Sequence, residues 1–308
     1  MTLDSSEALQ QRITAGDLRA LARAATLVES QSQAGRDLIA ALFSRTGRAL
    51  VIGITGPAGA GKSTLVDQLT KTLRKEGKTV GIIAVDPSSP FSRGAILGDR
   101  IRMQDHHADP GVFIRSMATR GKLGGIAQAT LEMALLLDAA GRDVVLIETV
   151  GVGQDEIEIA RLADVTVLVL MPGMGDDVQA IKAGVMEIAD VFAINKADLP
   201  GADRLEQEIR AMQSLGDETG RANAAPVRRV VASEGQGIEV LLSVIRSVFE
   251  RRGRQNARAD VWEVRLAEML RDRLLENLDE NALREHAKCV AAKIEDPYRA
   301  LDQLWPSR

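Results

Sequence analysis

Residues 56–63 read Gly56-Pro57-Ala58-Gly59-Ala60-Gly61-Lys62-Ser63 and match the pattern G-x-x-x-x-G-K-[ST] at every fixed position. The apolar, β-branched run before them, 50–54, predicts a buried strand. The apolar spacing after them, from Leu65 to Leu73, predicts a helix with one buried face. A strand, a glycine-rich turn and a helix are the context in which this motif forms a phosphate-binding loop, or P-loop. The stretch therefore predicts a P-loop NTPase fold.

Each part of this stretch has its own task in binding a nucleoside triphosphate. Glycines allow the backbone amides of residues 58–62 to surround a β-phosphate, and the helix N-terminus adds positive potential. Lys62 is predicted to bridge the β- and γ-phosphates, and the Ser63 hydroxyl is predicted to hold Mg²⁺. The predicted phosphate-binding residues are Gly56, Pro57, Ala58, Gly59, Ala60, Gly61, Lys62, Ser63 and Thr64.

A second motif, of the form N-K-x-D, follows the short strand predicted at 190–194 and reads Asn195-Lys196-Ala197-Asp198. Guanine presents an N1–H and a 2-amino group side by side, and the Asp198 carboxylate can accept a hydrogen bond from both. Adenine lacks this donor pair, and sites that depend on such hydrogen bonds reject the analogue by about 10⁴–10⁵. The motif predicts guanine as the base, with Lys196 along the base plane and Asn195 joining this loop to the P-loop.

The loop that begins within the last predicted strand, 228–232, is a further candidate for contacting the base. Val231, Ala232 and Ser233 are placed where the backbone could reach the guanine O6. The usual pattern at this point is S-A-x, and this loop departs from it because Val231 precedes Ala232.

Acidic residues at strand ends predict the Mg²⁺ site. Glu148 begins an E-x-x-G version of the usual D-x-x-G motif, and the amide of its glycine, Gly151, can reach a γ-phosphate. That contact is lost when the γ-phosphate leaves, so the segment can relax. Asp86, at the end of the strand predicted at 79–85, and Asp99 are the other predicted metal ligands; Asp99 could instead cap a helix that starts at Arg100.

The residue after the E-x-x-G glycine bears on the rate of hydrolysis. Ras-like GTPases carry a water-orienting glutamine there, but this chain has Val152, with Gln154 two residues further on. Orientation and electrostatics supply nearly all phosphoryl-transfer catalysis, so intrinsic turnover should be slow and a partner should accelerate it. Lys62, Glu148 and Asp99 are the predicted catalytic residues.

Composition excludes several other classes of protein. With 39 basic and 43 acidic residues, the net charge is −4, which is not the basic footprint of a nucleic-acid-binding protein. No apolar run approaches the length of about 20 residues that a membrane span needs, and Met1-Thr2-Leu3-Asp4 does not resemble a secretory signal. The single cysteine, Cys289, fits a reducing cytoplasm and is predicted to be a half-buried helical residue.

The chain divides by pattern into three parts: a helical extension at 1–47, a P-loop domain at 48–252 and a helical tail at 253–308. Alternating strands and helices in the middle part predict a mainly parallel sheet. The predicted strands are 49–55, 79–85, 112–116, 143–148, 165–170, 190–194 and 228–232, and the helices are 62–76, 125–140, 202–214 and 237–251.

The tail carries a helical apolar stripe, formed by Trp262, Leu266, Met269, Leu270, Leu274 and Leu278. Such a stripe could pack on the P-loop domain or serve as a self-association surface.

Taken together, these phrases resemble the MeaB/ArgK GTPases of the SIMIBI class, the bacterial relatives of the human methylmalonic aciduria type A protein. The resemblance is carried by the P-loop and N-K-x-D motifs and by the phrases Val85-Asp86-Pro87-Ser88-Ser89, Gly94-Ala95-Ile96-Leu97-Gly98-Asp99 and Glu148-Thr149-Val150-Gly151-Val152-Gly153-Gln154. It implies a GTP- and Mg²⁺-dependent chaperone that gates cofactor loading of an adenosylcobalamin-dependent acyl-CoA mutase, usually methylmalonyl-CoA mutase, and protects the mutase.

The resemblance also implies a homodimer paired through the C-terminal helices, and a third switch segment at 173–182 that transmits the nucleotide state to the mutase. Asp176, Gln179 and Lys182 are the coupling residues that it implies. By themselves these three residues read as solvated positions on a glycine-rich loop and the helix that follows it.

Two other functions were weighed against this one. The family's older name suggests a kinase or ATPase of lysine/arginine/ornithine transport, which Asp198 opposes because it favours guanine. A nickel-inserting GTPase would need clustered metal ligands, whereas His106, His107 and Cys289 have no recognisable ligand spacing. The two histidines are predicted to be a polar surface pair.

Overall fold

The computed structural model describes residues 6–86, 106, 108–118, 125–149, 162–174, 189–216, 225–252, 259, 262–263, 266–267, 269–271, 273 and 278–304. The chain forms two compact units, Met1–Arg254 and Gln255–Arg308. In the described part of the chain, no helix is long and apolar enough to cross a membrane.

A parallel sheet of seven strands forms the centre of the first unit. The strands are β1 (Leu50–Thr55), β2 (Val80–Asp86), β3 (Val112–Ala118), β4 (Val144–Glu148), β5 (Val165–Leu170), β6 (Val191–Ile194) and β7 (Val227–Arg229). Their spatial order is β3-β2-β4-β1-β5-β6-β7, so β1 lies between β4 and β5. This confirms the predicted fold class, and the first six strands lie within two residues of their predicted bounds.

The prediction for β7 was wrong at its end. The strand stops at Arg229 instead of continuing to 232, and Ala232–Glu234 forms a short 3₁₀ turn. Val231 and Gln236 form an antiparallel bridge that closes this turn, and Gly235 ends it with a left-handed backbone conformation, φ 72°. The apolar residues at 230–232 favour a strand by sequence, but in the structure they form a loop beside the N-K-x-D segment.

Helices cover both faces of the sheet. Side chains at alternate strand positions, such as Ile52 and Ile54, pack with the helices at 62–75 and 238–252. Side chains at the opposite positions pack with the three N-terminal helices and with the helices at 125–139 and 202–216. Strands buried on both faces carry continuous apolar runs, which is why they could be predicted. The helices of this unit are α1 (Ser6–Thr14), α2 (Leu18–Glu29), α3 (Gln33–Leu42), α4 (Lys62–Lys75), α5 (Gly125–Ala139), α6 (Ala202–Gly216) and α7 (Ile238–Arg252).

The three N-terminal helices share a core with the sheet. Leu21 of α2 and Leu38 of α3 belong to the same buried cluster as Val51 and Val145 of the central strands. Asp17 caps α2 by accepting hydrogen bonds from the amides of its first turn, which satisfies donors that would otherwise lack partners. Residues 6–45 therefore form part of the first compact unit, and the predicted boundary at 47 remains a prediction.

The second unit is helical in its described residues, with α8 (Glu280–Ala291) and α9 (Pro297–Leu304). Cys289 lies half-buried in α8, as predicted. In the apolar stripe, Leu266, Met269 and Leu270 are 60%, 42% and 60% exposed.

Candidate functional site

The P-loop follows β1 and leads directly into α4, as the motif predicts. Two of its glycines cannot be replaced without a clash. Gly56 has a φ of 140°, and a Cβ there would lie 2.1 Å from the carbonyl oxygen of Val169 on β5. Gly61 has a φ of 88°, and a Cβ there would lie 2.3 Å from the Asn195 side-chain nitrogen. The glycines therefore let the loop pass close to β5 and to the N-K-x-D segment.

Lys62, the P-loop lysine, is buried at the start of α4. Its ammonium donates hydrogen bonds to the carbonyl oxygens of Gly56 at 2.6 Å and Pro57 at 3.0 Å. The charge is thus held across the mouth of the loop, where the helix N-terminus adds positive potential. This is an arrangement suited to binding phosphate.

Two predicted metal ligands meet beside the loop. The Ser63 hydroxyl donates a hydrogen bond of 2.5 Å to the Glu148 carboxylate, although the residues are 85 positions apart. Glu148 ends β4 and is 5% exposed. At the next residue along the chain, the buried Thr149 hydroxyl donates a hydrogen bond of 3.0 Å to the Thr55 hydroxyl at the end of β1. A hydroxyl and a carboxylate together are the hard oxygen donors that Mg²⁺ prefers.

Asn195 joins three loops, which confirms the predicted contact with the P-loop. Its side-chain Nδ2 donates a hydrogen bond to the Ala60 carbonyl at 2.8 Å, and its side-chain Oδ1 accepts one from the Ala232 amide at 3.0 Å. Asn195 is 2% exposed, so both bonds are sheltered from water. One buried side chain therefore joins the P-loop, the N-K-x-D segment and the loop that begins at Ala232.

The rest of N-K-x-D is arranged around this contact. Lys196 adopts a left-handed backbone conformation, φ 54°, and its ammonium donates to the Gly59 carbonyl at 3.0 Å. Asp198 is exposed in the turn that follows, and the Ala197 amide donates to the Val230 carbonyl at 3.1 Å. The exposed carboxylate is therefore available to a base lying between this turn and the 3₁₀ turn at Ala232–Glu234.

The structure thus brings the predicted phosphate loop, Ser63, Glu148, the N-K-x-D segment and the loop carrying Val231, Ala232 and Ser233 to one edge of the sheet. Asp86 ends β2, whose neighbour β4 ends at Glu148, so its backbone lies at the same edge. The remaining predictions, Asp99, Gly151, Asp176, Gln179 and Lys182, lie outside the described residues, as do Val152 and Gln154.

The prediction that His106 lies on the surface was wrong. His106 is 5% exposed, and its Nε2 lies 2.8 Å from an Asp67 carboxylate oxygen on α4. Asp67 also pairs with Lys71 at 2.9 Å. Asp67 lies one helical turn beyond Ser63, so the pair joins residue 106 to the P-loop helix. His107 lies outside the described residues.

An ion pair between Arg74 and Asp109 also joins this segment to α4. Arg74 donates to both Asp109 oxygens, at 2.8 and 2.9 Å, and the hydrogen bonds from Arg74 hold the pKa of Asp109 below its ordinary value. No local pattern could have identified either pair, because each joins residues at least 35 positions apart. Within the described ranges, no group of three or more His, Cys, Asp or Glu residues could hold a metal ion.

Replacing Gly61 by alanine tests the contact between the P-loop and Asn195. Gly59 is the matched control, because its φ is 79° but the nearest atom to an added Cβ is 3.8 Å away. Both variants should pay a left-handed backbone cost of about 1–2 kcal/mol, and only Gly61→Ala should also displace Asn195. We expect GDP affinity, measured by titration calorimetry, to fall at least about tenfold further in Gly61→Ala. Equal losses would mean that the Asn195 contact does not support the site.

Comparisons with known proteins agree with this geometry. The family model described as methylmalonyl-CoA mutase-associated GTPase MeaB matches residues 21–283. A candidate GTPase of Pyrococcus abyssi is 48% identical over 306 residues, which covers 96% of this chain and 94% of that protein. The mitochondrial methylmalonic aciduria type A homolog of Mus musculus is 37% identical over 248 residues, covering 75% and 60%. A crystal structure described as an LAO/AO transport system kinase has a TM-score of 0.72 at 29% identity and covers 99% of this chain and 97% of its own.

Proposed function

Because the chain belongs to the methylmalonyl-CoA mutase-associated GTPase MeaB family, we propose that it is a GTP-hydrolysing chaperone of an adenosylcobalamin-dependent acyl-CoA mutase. In this role, it gates loading of the mutase cofactor and protects the mutase, for which methylmalonyl-CoA mutase is the leading partner. Membership of the family supports the mutase as the partner, and the geometry of the P-loop site supports GTP hydrolysis as the reaction.

The observation that carries the GTPase part is the bonding of Asn195. Through it, the segment proposed to read guanine is fixed to the P-loop carbonyl of Ala60 and to the amide of Ala232. The residues proposed to contact the base are thus bonded directly to those proposed to contact the phosphates. A bound nucleotide would have to fit both groups of residues at the same time. Asp198, Lys196, the P-loop residues and residues 231–233 are the proposed nucleotide contacts.

Mg²⁺ is the proposed metal of this site, and the oxygen donors of Ser63 and Glu148 fit it. Asp86 and Asp99 are proposed to complete the set of acids. When bound, Mg²⁺ would neutralise charge on the β- and γ-phosphates. The chain's own part is to hold Lys62 at the mouth of the loop, orient the phosphates through backbone amides, and keep Glu148 buried beside Ser63.

Stimulation by the partner tests the chaperone part. Intrinsic hydrolysis should be slow, on the order of 10⁻⁴ to 10⁻² s⁻¹, since Val152 cannot orient water. Adding the mutase should accelerate single-turnover hydrolysis, because the complex is proposed to bind the reactive geometry more tightly. Lys182→Ala should reduce this acceleration without changing GTP affinity.

Lys75→Ala is the matched control, since Lys75 is an exposed lysine at the end of α4 and is not part of the proposed coupling segment, 173–182. It should leave the acceleration unchanged. A fast intrinsic rate that no mutase alters would contradict the chaperone role while leaving the GTPase assignment intact.

Self-association through the tail is a further part of the proposal. The exposed side chains of Leu266, Met269 and Leu270 support a homodimer formed through the C-terminal helices, because apolar side chains at helical spacing gain stability when a second chain covers them. We propose the cytoplasm as the compartment, on the basis of the single cysteine. The division at 1–47, 48–252 and 253–308 is the proposed domain arrangement.

A kinase of amino-acid transport is the second candidate, favoured by the name of the crystal structure with a TM-score of 0.72. Nucleotide competition separates the two functions. Displacement of bound GDP by ATP at similar concentrations, together with transfer of phosphate to a binding protein, would favour the kinase. Resistance to ATP would favour the GTPase.

A further inference from the structure

The chain leaves β5 through a turn that lies beside two parts of the proposed nucleotide site. This turn, called here the β5 exit turn, consists of Met171, Pro172, Gly173 and Met174. Its last two residues are also the first two of the proposed coupling segment, 173–182. The contacts of the turn are therefore contacts through which the nucleotide site and the coupling segment can affect each other.

The first neighbour of the turn is the P-loop. A Cβ on Gly59 would lie 3.8 Å from the Met171 Cε, which is an ordinary van der Waals distance, so the end of the Met171 side chain lies beside the loop. β5 approaches the same loop just before the turn, since a Cβ on Gly56 would lie 2.1 Å from the Val169 carbonyl oxygen. The P-loop is thus close both to the end of β5 and to the first residue of the turn.

The second neighbour is the N-K-x-D segment with the turn that follows it. The Leu170 carbonyl, the last in β5, accepts a hydrogen bond of 2.7 Å from the Asn195 backbone amide. Pro172 is buried, and a Cβ on Gly201 would lie 3.7 Å from the Pro172 Cβ. The β5 exit turn therefore lies next to the segment proposed to read the base as well as to the phosphate loop.

Within the turn, one exposed glycine separates two buried residues. Met174 is 7% exposed and belongs to the apolar cluster that α6 forms with β5 and β6. Gly173 is exposed, its φ is 88°, and a Cβ there would meet no described atom within 4 Å. Because glycine adopts left-handed and right-handed conformations with similar ease, the backbone can rotate at Gly173 while Pro172 and Met174 stay packed.

We propose that the β5 exit turn is the link through which the nucleotide site positions the coupling segment, with Gly173 as its hinge and Met171 as the positioning residue beside the P-loop. This inference rests on the proposed function, because coupling to a mutase is part of it. A nucleotide that binds the P-loop and the N-K-x-D segment contacts both neighbours of the turn. A displacement of either neighbour rotates the backbone at the hinge and changes the direction in which the chain leaves the turn.

Hydrogen exchange measured by mass spectrometry tests the link without a mutase. The full chain, saturated with Mg²⁺ and with either GDP or a non-hydrolysable GTP analogue, should show different exchange rates at the amides of the turn. Met171→Ala should remove this difference, because the shortened side chain no longer reaches the P-loop. Met171→Leu should retain it, since leucine keeps most of the apolar volume.

Met212→Ala is the matched control for this measurement. Met212 is a partly buried methionine of α6 that packs against the same apolar cluster as Met171. Its variant should lose a similar amount of thermal stability and keep the difference in exchange. Equal exchange with both nucleotides in the wild type, or loss of the difference in Met212→Ala as well, would overturn the proposal.

Gly173→Ala tests the hinge in the presence of the mutase. Alanine disfavours the left-handed conformation, so stimulation of single-turnover hydrolysis by the mutase should fall at least about fivefold, the lower end for coupling between two sites, with GDP affinity unchanged. Gly141→Ala is the matched control, because Gly141 is exposed before β4 with a φ of 80° and no described atom within 4 Å of an added Cβ. It should melt like Gly173→Ala but keep full stimulation.

The two measurements separate this inference from the proposed function. Full stimulation of Gly173→Ala, or an equal loss of stimulation in Gly141→Ala, would overturn the hinge. If no mutase stimulated the wild type while exchange at the turn still depended on the nucleotide, the chaperone role would fail and the exchange result would still support the link.

Discussion

Asp198→Asn should weaken GDP and GTP binding, whereas the wild type should bind ATP at least about a thousandfold more weakly than GTP, an estimate below the ceiling of about 10⁴–10⁵ for hydrogen-bond discrimination. The asparagine replaces one acceptor oxygen with a donor that faces the donors of guanine. Xanthine carries a carbonyl oxygen where guanine carries its amino group, so the variant should gain affinity for xanthosine nucleotides. The measurement is competition of GTP, ATP and XTP against a fluorescent GDP analogue.

Asp203→Asn is the matched control for this change. Asp203 is an exposed carboxylate five positions further on, paired with Arg229 at 2.6 Å. It should leave nucleotide choice unaltered. If the wild type bound ATP and GTP equally well, Asp198 would not be reading the base, and the GTPase proposal would fail with it.

Lys62→Ala is expected to abolish detectable hydrolysis and to weaken GTP binding more than GDP binding. The ammonium lies at the mouth of the loop, bonded to the carbonyls of Gly56 and Pro57, where it can turn to a γ-phosphate. Loss of one preorganised donor at a developing charge costs about 10²–10³ in rate. Single-turnover hydrolysis and separate GDP and GTP titrations would measure both effects.

Lys62→Met separates the charge from the packing of the buried side chain, since methionine keeps much of the apolar stem. It should lose hydrolysis like Lys62→Ala while melting closer to the wild type. Lys75→Ala, on the same helix, should retain full activity. Hydrolysis by Lys62→Ala at the wild-type rate would place the reaction somewhere other than the P-loop.

Much of the sheet could be predicted because its information is local. Strands such as β1 and β5 are buried on both faces and read as continuous apolar runs, ending at residues that favour turns. The contact between Asn195 and the P-loop could also be predicted from local sequence. The N-K-x-D motif directly follows a strand, and this position brings Asn195 within reach of the P-loop. β7 was overestimated because Val230 to Ala232 are apolar but serve a loop.

The position of His106 could not be predicted, for a physical reason. Whether a histidine is buried depends on a partner that compensates for its polarity, and here that partner, Asp67, lies 39 positions away on another element. The hydrogen bonds between Asp138 and the chain before β1 join residues still further apart, about 90 positions in sequence. Contacts of this kind form only when distant segments pack together in the folded chain, so they produce no periodic pattern in the sequence.

The central place of β1 has a consequence for how the chain is made. Its first sheet neighbour is β4, with Leu50 pairing with Val144, and its second is β5. At about 5–20 residues per second, β1 is synthesised roughly 5–20 s before β4. During that interval its apolar edges have no native partner, whereas β2 and β3 are closer in sequence and can pair first. Parallel pairing between distant segments forms slowly, because the entropy of closing the loop is lost before the strand contacts can stabilise the pair. Among the described strands, β1 therefore waits longest for a sheet partner, so the strand that supports the P-loop is exposed to aggregation during synthesis.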